Sequence, residues 1–185
     1  MKKYNIIYAD PPWEYKESGG GHRGTAGLPY PTMNIEDIKN LPIHKICADK
    51  CILFLWVTFA RLEQGLEVIK SWEFEYYSIG FNWIKTTKNG KTFWGMGYYT
   101  RSNSELCLIG VPKDNQRRLK PINRDVLSVI HSKKEEHSKK PDIIRDLIVR
   151  VLGDLPRIEL FARQKTEGWD VWGNEVEKDI ELCGE

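Results

Sequence analysis

Residues Cys51–Val57 read CILFLWV, an apolar run with no polar break. A strand with one wet face alternates polar and apolar side chains, so this run predicts a strand buried on both faces. Asn5–Ala9 (NIIYA), Leu106–Val111 (LCLIGV) and Arg157–Ala162 (RIELFA) read as further strands. Strands buried on both faces belong to α/β sheets with helices above and below. Asn34–Asn40 predicts a short helix with Asn34 as N-cap. A second helix is capped by Thr58 and turns Leu62, Leu66, Ile69 and Trp72 inward. A third has Pro141 in its first turn, is lined by Ile143, Ile144, Leu147, Ile148, Val151 and Leu152, and ends at Gly153. Tyr77–Ile84, Val126–Ile130 and Trp169–Trp172 complete the expected strands, while His131–Pro141 reads as a loop and the acidic tail from Glu175 as peripheral. The predicted fold class is therefore α/β, a mostly parallel sheet in a single domain over residues 1–185, which is long enough for one full core.

No apolar run reaches the length that spans a bilayer, and the opening MKKYNIIYADPPW has neither the apolar core nor the cleavage site of a signal peptide. A cytoplasmic protein without membrane contact is expected. The four cysteines are Cys47, Cys51, Cys107 and Cys183. Cys47 and Cys51 lack a second ligand pair nearby, so buried reduced thiols are expected and no metal. The net charge of +2 conceals an asymmetry, because Tyr76–Arg124 holds nine basic residues against only Glu105 and Asp114. Aromatics crowd the same segment, among them Trp83, Phe93, Trp94, Tyr98 and Tyr99. Basic residues interleaved with aromatics suit a polyanion with exposed bases, and the stretch Lys85–Arg101 is the expected contact, with Lys85 as a substrate residue. A packed core under a solvated charged face would give the same composition.

The first strand ends on Asp10-Pro11-Pro12-Trp13. Ligands in such sheets bind outside the carboxyl ends of the strands. The carboxylate only accepts hydrogen bonds, the prolines donate none and so leave the local carbonyls free to accept, and the tryptophan offers a flat face. Two acceptors, Asp10 and the Pro11 carbonyl, complement the exocyclic amino group of a purine. They would also stabilise the positive charge that develops when that weak nucleophile attacks. The same tetrapeptide also reads as a strand-ending turn with an Asp cap, and chemistry alone does not choose between the two. Gly19–Gly24 (GGGHRG) matches G-x-G-x-x-G in form, yet it neither follows a strand directly nor opens a helix. It reads better as a lid over the site, or as a disordered surface loop.

The segments IIYADPPW, LPYPTM, ILFLWVT, NWIKT, HSKKP, IELFAR and WGNE occur in that order along nearly the whole chain. Together they resemble the adenine-N6 methyltransferase family of the catalytic subunit that methylates messenger RNA adenosine. The resemblance implies an S-adenosylmethionine-dependent transferase with a Rossmann-like fold in permuted order, the DPPW strand coming first. It implies that Asp10 and Pro11 accept from the target amino group, that Asp10 also lies near the cofactor, and that Pro12 and Trp13 shape the pocket. Tyr30 would pack on the target base and Glu105 would lie at the pocket floor. Ser138 and Lys140 of HSKKP would meet the cofactor, Lys140 at its carboxylate. Leu160, Phe161 and Arg163 would border the cofactor, and Asn174 and Glu175 would bond its ribose. Ala162, Lys165 and Glu175 stand where the messenger RNA enzymes have Gly, His and Gln. Their adenine-contacting acid lies upstream of the catalytic strand, and this sequence starts too close to that strand to supply it. The resemblance is closest to short members carried by bacteria and bacteriophages, which implies DNA adenine as target, with the base flipped out or single-stranded. The same chemistry on RNA or a free nucleotide, and a non-catalytic nucleic-acid-binding partner, are the competing readings. A dehydrogenase would need a Gly-rich strand-to-helix turn that is not found. The family often works in pairs, so a homodimer or a hetero-partner is expected.

Overall fold

The structure, a computed structural model, describes residues 1–14, 31–97, 99–135 and 139–182. The expected Gly-rich lid, Tyr30 and Ser138 lie outside the described residues. Seven strands form one sheet: β1 (Tyr4–Ala9), β2 (Cys47–Val57), β3 (Phe74–Thr86), β4 (Ser104–Pro112), β5 (Val129–Lys133), β6 (Arg157–Leu160) and β7 (Asp170–Trp172). Among the described residues three α-helices accompany them, α1 (Ile35–Lys39), α2 (Leu62–Ser71) and α3 (Ile143–Leu152). The strand order is β5-β3-β4-β2-β1-β6-β7. β1 pairs in parallel with β2 and β6, β6 with β7, and β3 with β5, whereas β4 runs antiparallel to both β2 and β3. The mostly parallel, Rossmann-like α/β sheet read from the sequence is the sheet observed.

This topology decides where function can sit. The six parallel strands all finish at one edge, and β4 starts there. Asp10, Thr58, Glu105, Lys134, Phe161 and Gly173 therefore arrive at the same place from distant parts of the chain.

The two faces of the sheet bury different sets of side chains, as period-two alternation requires. Ile7, Leu53, Leu55 and Leu108 pack with Ile38 of α1 and with Val68 and Ile69 of α2. Tyr8, Phe54, Trp56 and Cys107 pack with Ile144, Ile148 and Leu152 of α3. Fully burying each aliphatic side chain here contributes about 1.5–3 kcal/mol. α2 lies close on the sheet because it presents Gly65, where a Cβ would sit 2.3 Å from Val57 Cγ1. The buried tryptophans have partners for their N–H groups: Trp72 donates to the Ile38 carbonyl at 2.8 Å, Trp56 to the Tyr8 hydroxyl at 2.8 Å, and Trp83 to the Ser132 carbonyl at 3.1 Å.

Several local expectations are corrected. Thr58 precedes a short 3-10 turn, Phe59–Arg61, and makes no side-chain cap bond. α2 buries Gly65, Val68 and Ile69 rather than Leu62 and Leu66, which are 37% and 38% exposed. The helix is rolled toward its glycine, the only position that admits so close an approach. α3 also departs from the expected face: Ile143 is 50% exposed while Arg145 is buried. His131–Lys133 belongs to β5 rather than to a loop, because β3 is long enough to hydrogen-bond it (Ile84 opposite His131), whereas Val126 lies outside any strand. The acidic tail is tied down: Asp179 Oδ2 accepts from the Val171 N–H at 2.9 Å, and Leu182 is buried in the core. The Asn34 cap is present as expected, its side chain accepting from the Asp37 N–H at 2.9 Å.

Candidate active site

β1 delivers Asp10 to the edge where the strands finish. The prolines that follow fix the turn: the Trp13 N–H donates to the Pro11 carbonyl at 2.9 Å and the Met33 N–H to the Pro12 carbonyl at 2.9 Å. This corrects the expectation that both carbonyls stand free. The Pro12 oxygen ties the turn to the strand-like segment at Met33, and the Pro11 oxygen keeps one lone pair for a ligand. Trp13 is not an open stacking face either. It is 7% exposed, packs in the core, and its Nε1 donates to the Trp56 carbonyl at 3.2 Å.

Asp10 sits in a chain of alternating charges. Lys140 Nζ bonds Asp10 Oδ2 at 2.7 Å and reaches Glu105 Oε2 at 3.2 Å, and Lys85 Nζ bonds Glu105 Oε1. Lys140 arrives from the segment before α3, Glu105 from the start of β4 and Lys85 from the end of β3. Burial pushes the Asp10 carboxyl above its ordinary value, and the nearby Lys140 offsets only part of that rise. Burial acts on Glu105 in the same direction, but Lys140 and Lys85 outweigh it and hold that acid below its ordinary value. Burial alone would lower Lys140; Asp10 and Glu105 hold it above the usual lysine range. The ammonium is thus charged, and it also lies 5.6 Å from the Trp56 ring centroid, a cation–π distance.

Around Asp10 and Arg163 open three connected hollows. The largest, about 640 Å³, is lined by Lys140, Phe161, Arg163, Gln164 and Glu175, with Lys88, Lys133 and Lys134 at its rim. A second is walled by Pro12, Met33, Phe161, Gly173 and Asn174, and a third by Pro11, Trp13, Trp56, Thr58 and Glu105. The wall after β6 is unusual. Phe161 adopts φ 62°, a left-handed conformation that is an outlier for a bulky residue and costs on the order of 1–3 kcal/mol. Its ring meets Trp172 edge-on at 5.5 Å. Gly173 passes so near the same turn that a Cβ would sit 2.2 Å from the Ala162 carbonyl oxygen. Arg163 Nε and Glu175 Oε1 face each other at 3.6 Å across the large hollow.

Of the residues singled out in the sequence, Asp10, Pro11, Pro12, Trp13, Glu105, Lys140, Phe161, Arg163, Asn174 and Glu175 line these hollows. Leu160 does not: it is fully buried in the core, since alternation along β6 turns it away from the edge. Lys85 is drawn inward against Glu105, with its side chain 13% exposed. Among the lining residues that escaped the sequence reading are two charged ones in the wall of the large hollow, Glu159 and Arg145. Arg145 Nη1 bonds both Glu159 oxygens, at 3.1 and 3.2 Å. The available signal was an acid inside an otherwise apolar strand and an arginine beside Ile144 and Ile148 on an apolar helix face.

Burial pushes the Glu159 carboxyl up to about 7, against the pull of Arg145. A carboxyl raised on folding adds stability that is full below its unfolded pKa and is lost as pH rises through the folded one. The window here is pH 4.5 to 7, and the loss across it is about 3 kcal/mol at most. Glu159→Gln is expected to flatten the fall in unfolding free energy between pH 5 and 8, as measured by urea denaturation. An unchanged pH slope would show that Glu159 is not the group responsible.

The MT-A70 family profile matches residues 4–175. A type II methyltransferase of a Mycoplasma species, M.MunI, is 34% identical over 95% of this chain and 78% of its own length. The human N(6)-adenosine-methyltransferase catalytic subunit METTL3 is 30% identical over 96% of this chain, which spans 29% of that protein. The MT-A70-like N(6)-adenosine-methyltransferase of Arabidopsis thaliana is 29% identical over 94% of this chain and 24% of its own length. With nearly the whole chain matched, from the start of β1 to Glu175 beyond β7, the protein belongs to the MT-A70 family.

Proposed function

We propose that this chain, as a single domain in the cytoplasm, transfers a methyl group from S-adenosylmethionine to the N6 amino group of adenine in DNA. The observation that carries the reading is Asp10, held by Lys140 at the strand edge where the three hollows meet. The large hollow has the volume of a cofactor site. Its lining and that of the adjoining hollow fit the cofactor in kind: Lys140 and Arg163 are cations for a carboxylate, and Glu175, with Asn174 from the second hollow, is a polar group for a ribose. When bound, S-adenosylmethionine supplies a methyl group made electrophilic by its sulfonium.

The chain's own residues supply orientation and charge. The adenine amino group donates one N–H to Asp10 and the other to the remaining lone pair of the Pro11 carbonyl. These two bonds aim the nitrogen and offset the positive charge it gains in the transition state. Burial makes Asp10 a stronger base than an exposed aspartate, so its carboxylate receives the proton the amino group gives up. DNA is favoured over RNA by likeness: the chain is 34% identical to the type II methyltransferase and 30% identical to METTL3.

Labelled S-adenosylmethionine offered with matched DNA and RNA oligonucleotides tests the reading. Label on DNA adenine is expected. Label on RNA alone would move the substrate to RNA adenosine. No transfer to either, with cofactor bound in calorimetry, would replace the reading by a non-catalytic nucleic-acid-binding partner.

A further inference from the structure

The connection between β3 and β4, residues 87–103, stands at the rim of the large hollow. Its base is fixed there. The Phe93 N–H donates to the Lys85 carbonyl at 2.9 Å, the Lys134 N–H donates to the Thr86 carbonyl at 3.0 Å, and Lys134 Nζ lies 4.7 Å from the Phe93 ring centroid. Its outer part is a narrow hairpin. The Gly95 N–H donates to the Ser102 carbonyl at 3.0 Å. A Cβ on Gly95 would sit 2.1 Å from the Ser102 oxygen, and one on Gly97 would sit 1.9 Å from the Thr100 oxygen. Only glycine lets the two arms close so tightly, and the residues beside the glycines are pushed outward. Trp94 is 77% exposed, Met96 84% and Tyr99 94%.

Three large apolar side chains so exposed on one hairpin mark a contact surface. The charge beside them chooses the occupant. Between Thr86 and Ser104 the chain has Lys88, Lys91 and Arg101 and no acid, and the rim adds Lys133 and Lys134, with Glu135 beside them neutralised by Lys139 at 3.3 Å. A protein partner buries apolar groups in a ring of mixed polar residues, whereas flat rings among cations of one sign suit stacked bases between phosphates.

We propose that the tip of this hairpin stacks on bases of the substrate strand next to the target adenine, while Lys88, Lys91 and Arg101 hold its phosphates. The inference rests on a nucleic-acid substrate at Asp10 and adds a second contact, outside the hollows, that keeps the strand open beside the reacting base. Pulling an adenine out of a duplex leaves its neighbours unstacked, and a side chain at the gap recovers part of that loss. Trp94 and Tyr99 are therefore positioning residues.

The test uses a DNA oligonucleotide with 2-aminopurine next to its single adenine, since stacking quenches that base. Wild type is expected to change the emission on binding. Trp94→Ala and Tyr99→Ala should each weaken binding about tenfold and lose most of the change, with S-adenosylmethionine affinity unchanged in calorimetry. Lys91→Ala should reduce the slope of log affinity against log salt by about one. Binding within twofold of wild type, with the emission change retained, would overturn the proposal while leaving methyl transfer to DNA untouched. So would a wild-type dimer that Trp94→Ala splits, seen by sedimentation, with DNA binding intact, because the tip would then be a protein interface. Conversely, normal binding and quenching without methyl transfer would sink the catalytic reading and leave this one standing.

Discussion

Asp10→Ala is expected to lower the rate of methyl transfer about a thousandfold at saturating DNA and cofactor, the upper range for loss of one oriented group at a charged transition state. The fold should survive, because Lys140 keeps Glu105 as a partner at 3.2 Å. Asp10→Asn retains the shape and one acceptor but not the charge, and should lose most of the rate as well. The carboxylate must be ionised to accept from the amino group. Since burial raises its pKa, the wild-type rate should be full at high pH and fall as pH drops through that raised value. Single-turnover rates across pH check both statements. An alanine variant within tenfold of wild type would mean that Asp10 is a structural turn residue.

Lys140→Met should be costly in a different way. Lys140 is 8% exposed and lies between two carboxylates. Removing it strips Asp10 of its bonded cation and leaves Glu105 with Lys85 alone, which costs about 3–5 kcal/mol. For a chain of this size that is on the order of 10 °C in melting temperature. The deficit should shrink as pH falls, because protonating Asp10, whose pKa is already raised, relieves the repulsion first. Cofactor affinity should drop in the same variant, and calorimetry at a temperature where it remains folded separates the two losses. A variant as stable as wild type at pH 8 would show that the ammonium is not what balances these acids.

Much of this arrangement was legible in the sequence. The apolar runs gave a sheet covered on both faces, but not the direction of each strand: LCLIGV is as buried as CILFLWV and runs antiparallel to it. DPPW at the end of the first strand marked the edge where the three hollows open. What was missed depended on contacts between distant segments. Helix roll is one case: Leu62 and Leu66 fit the helical period as well as Val68 and Ile69 do, and the choice was made by Gly65 lying against Val57. The pairing of Arg145 with Glu159 is another, since nothing local says that a helix arginine will be buried opposite a strand acid. The apparent freedom of the proline carbonyls failed for the same reason. Their partners, Trp13 and Met33, meet them only once the turn has closed.

The antiparallel course of β4 has a consequence for how such an enzyme can diversify. Because β3 ends and β4 begins at the edge that carries Asp10, the chain between them can lengthen or shorten without shifting a single core register. Doubling such a loop costs only about 0.6 kcal/mol in closure entropy. A parallel strand in that place would have needed a crossover spanning the sheet, and any insertion would have strained the packing beneath it. Grafting a hairpin of another length and composition between Thr86 and Ser104 is therefore a route to a different target sequence on an unchanged chassis.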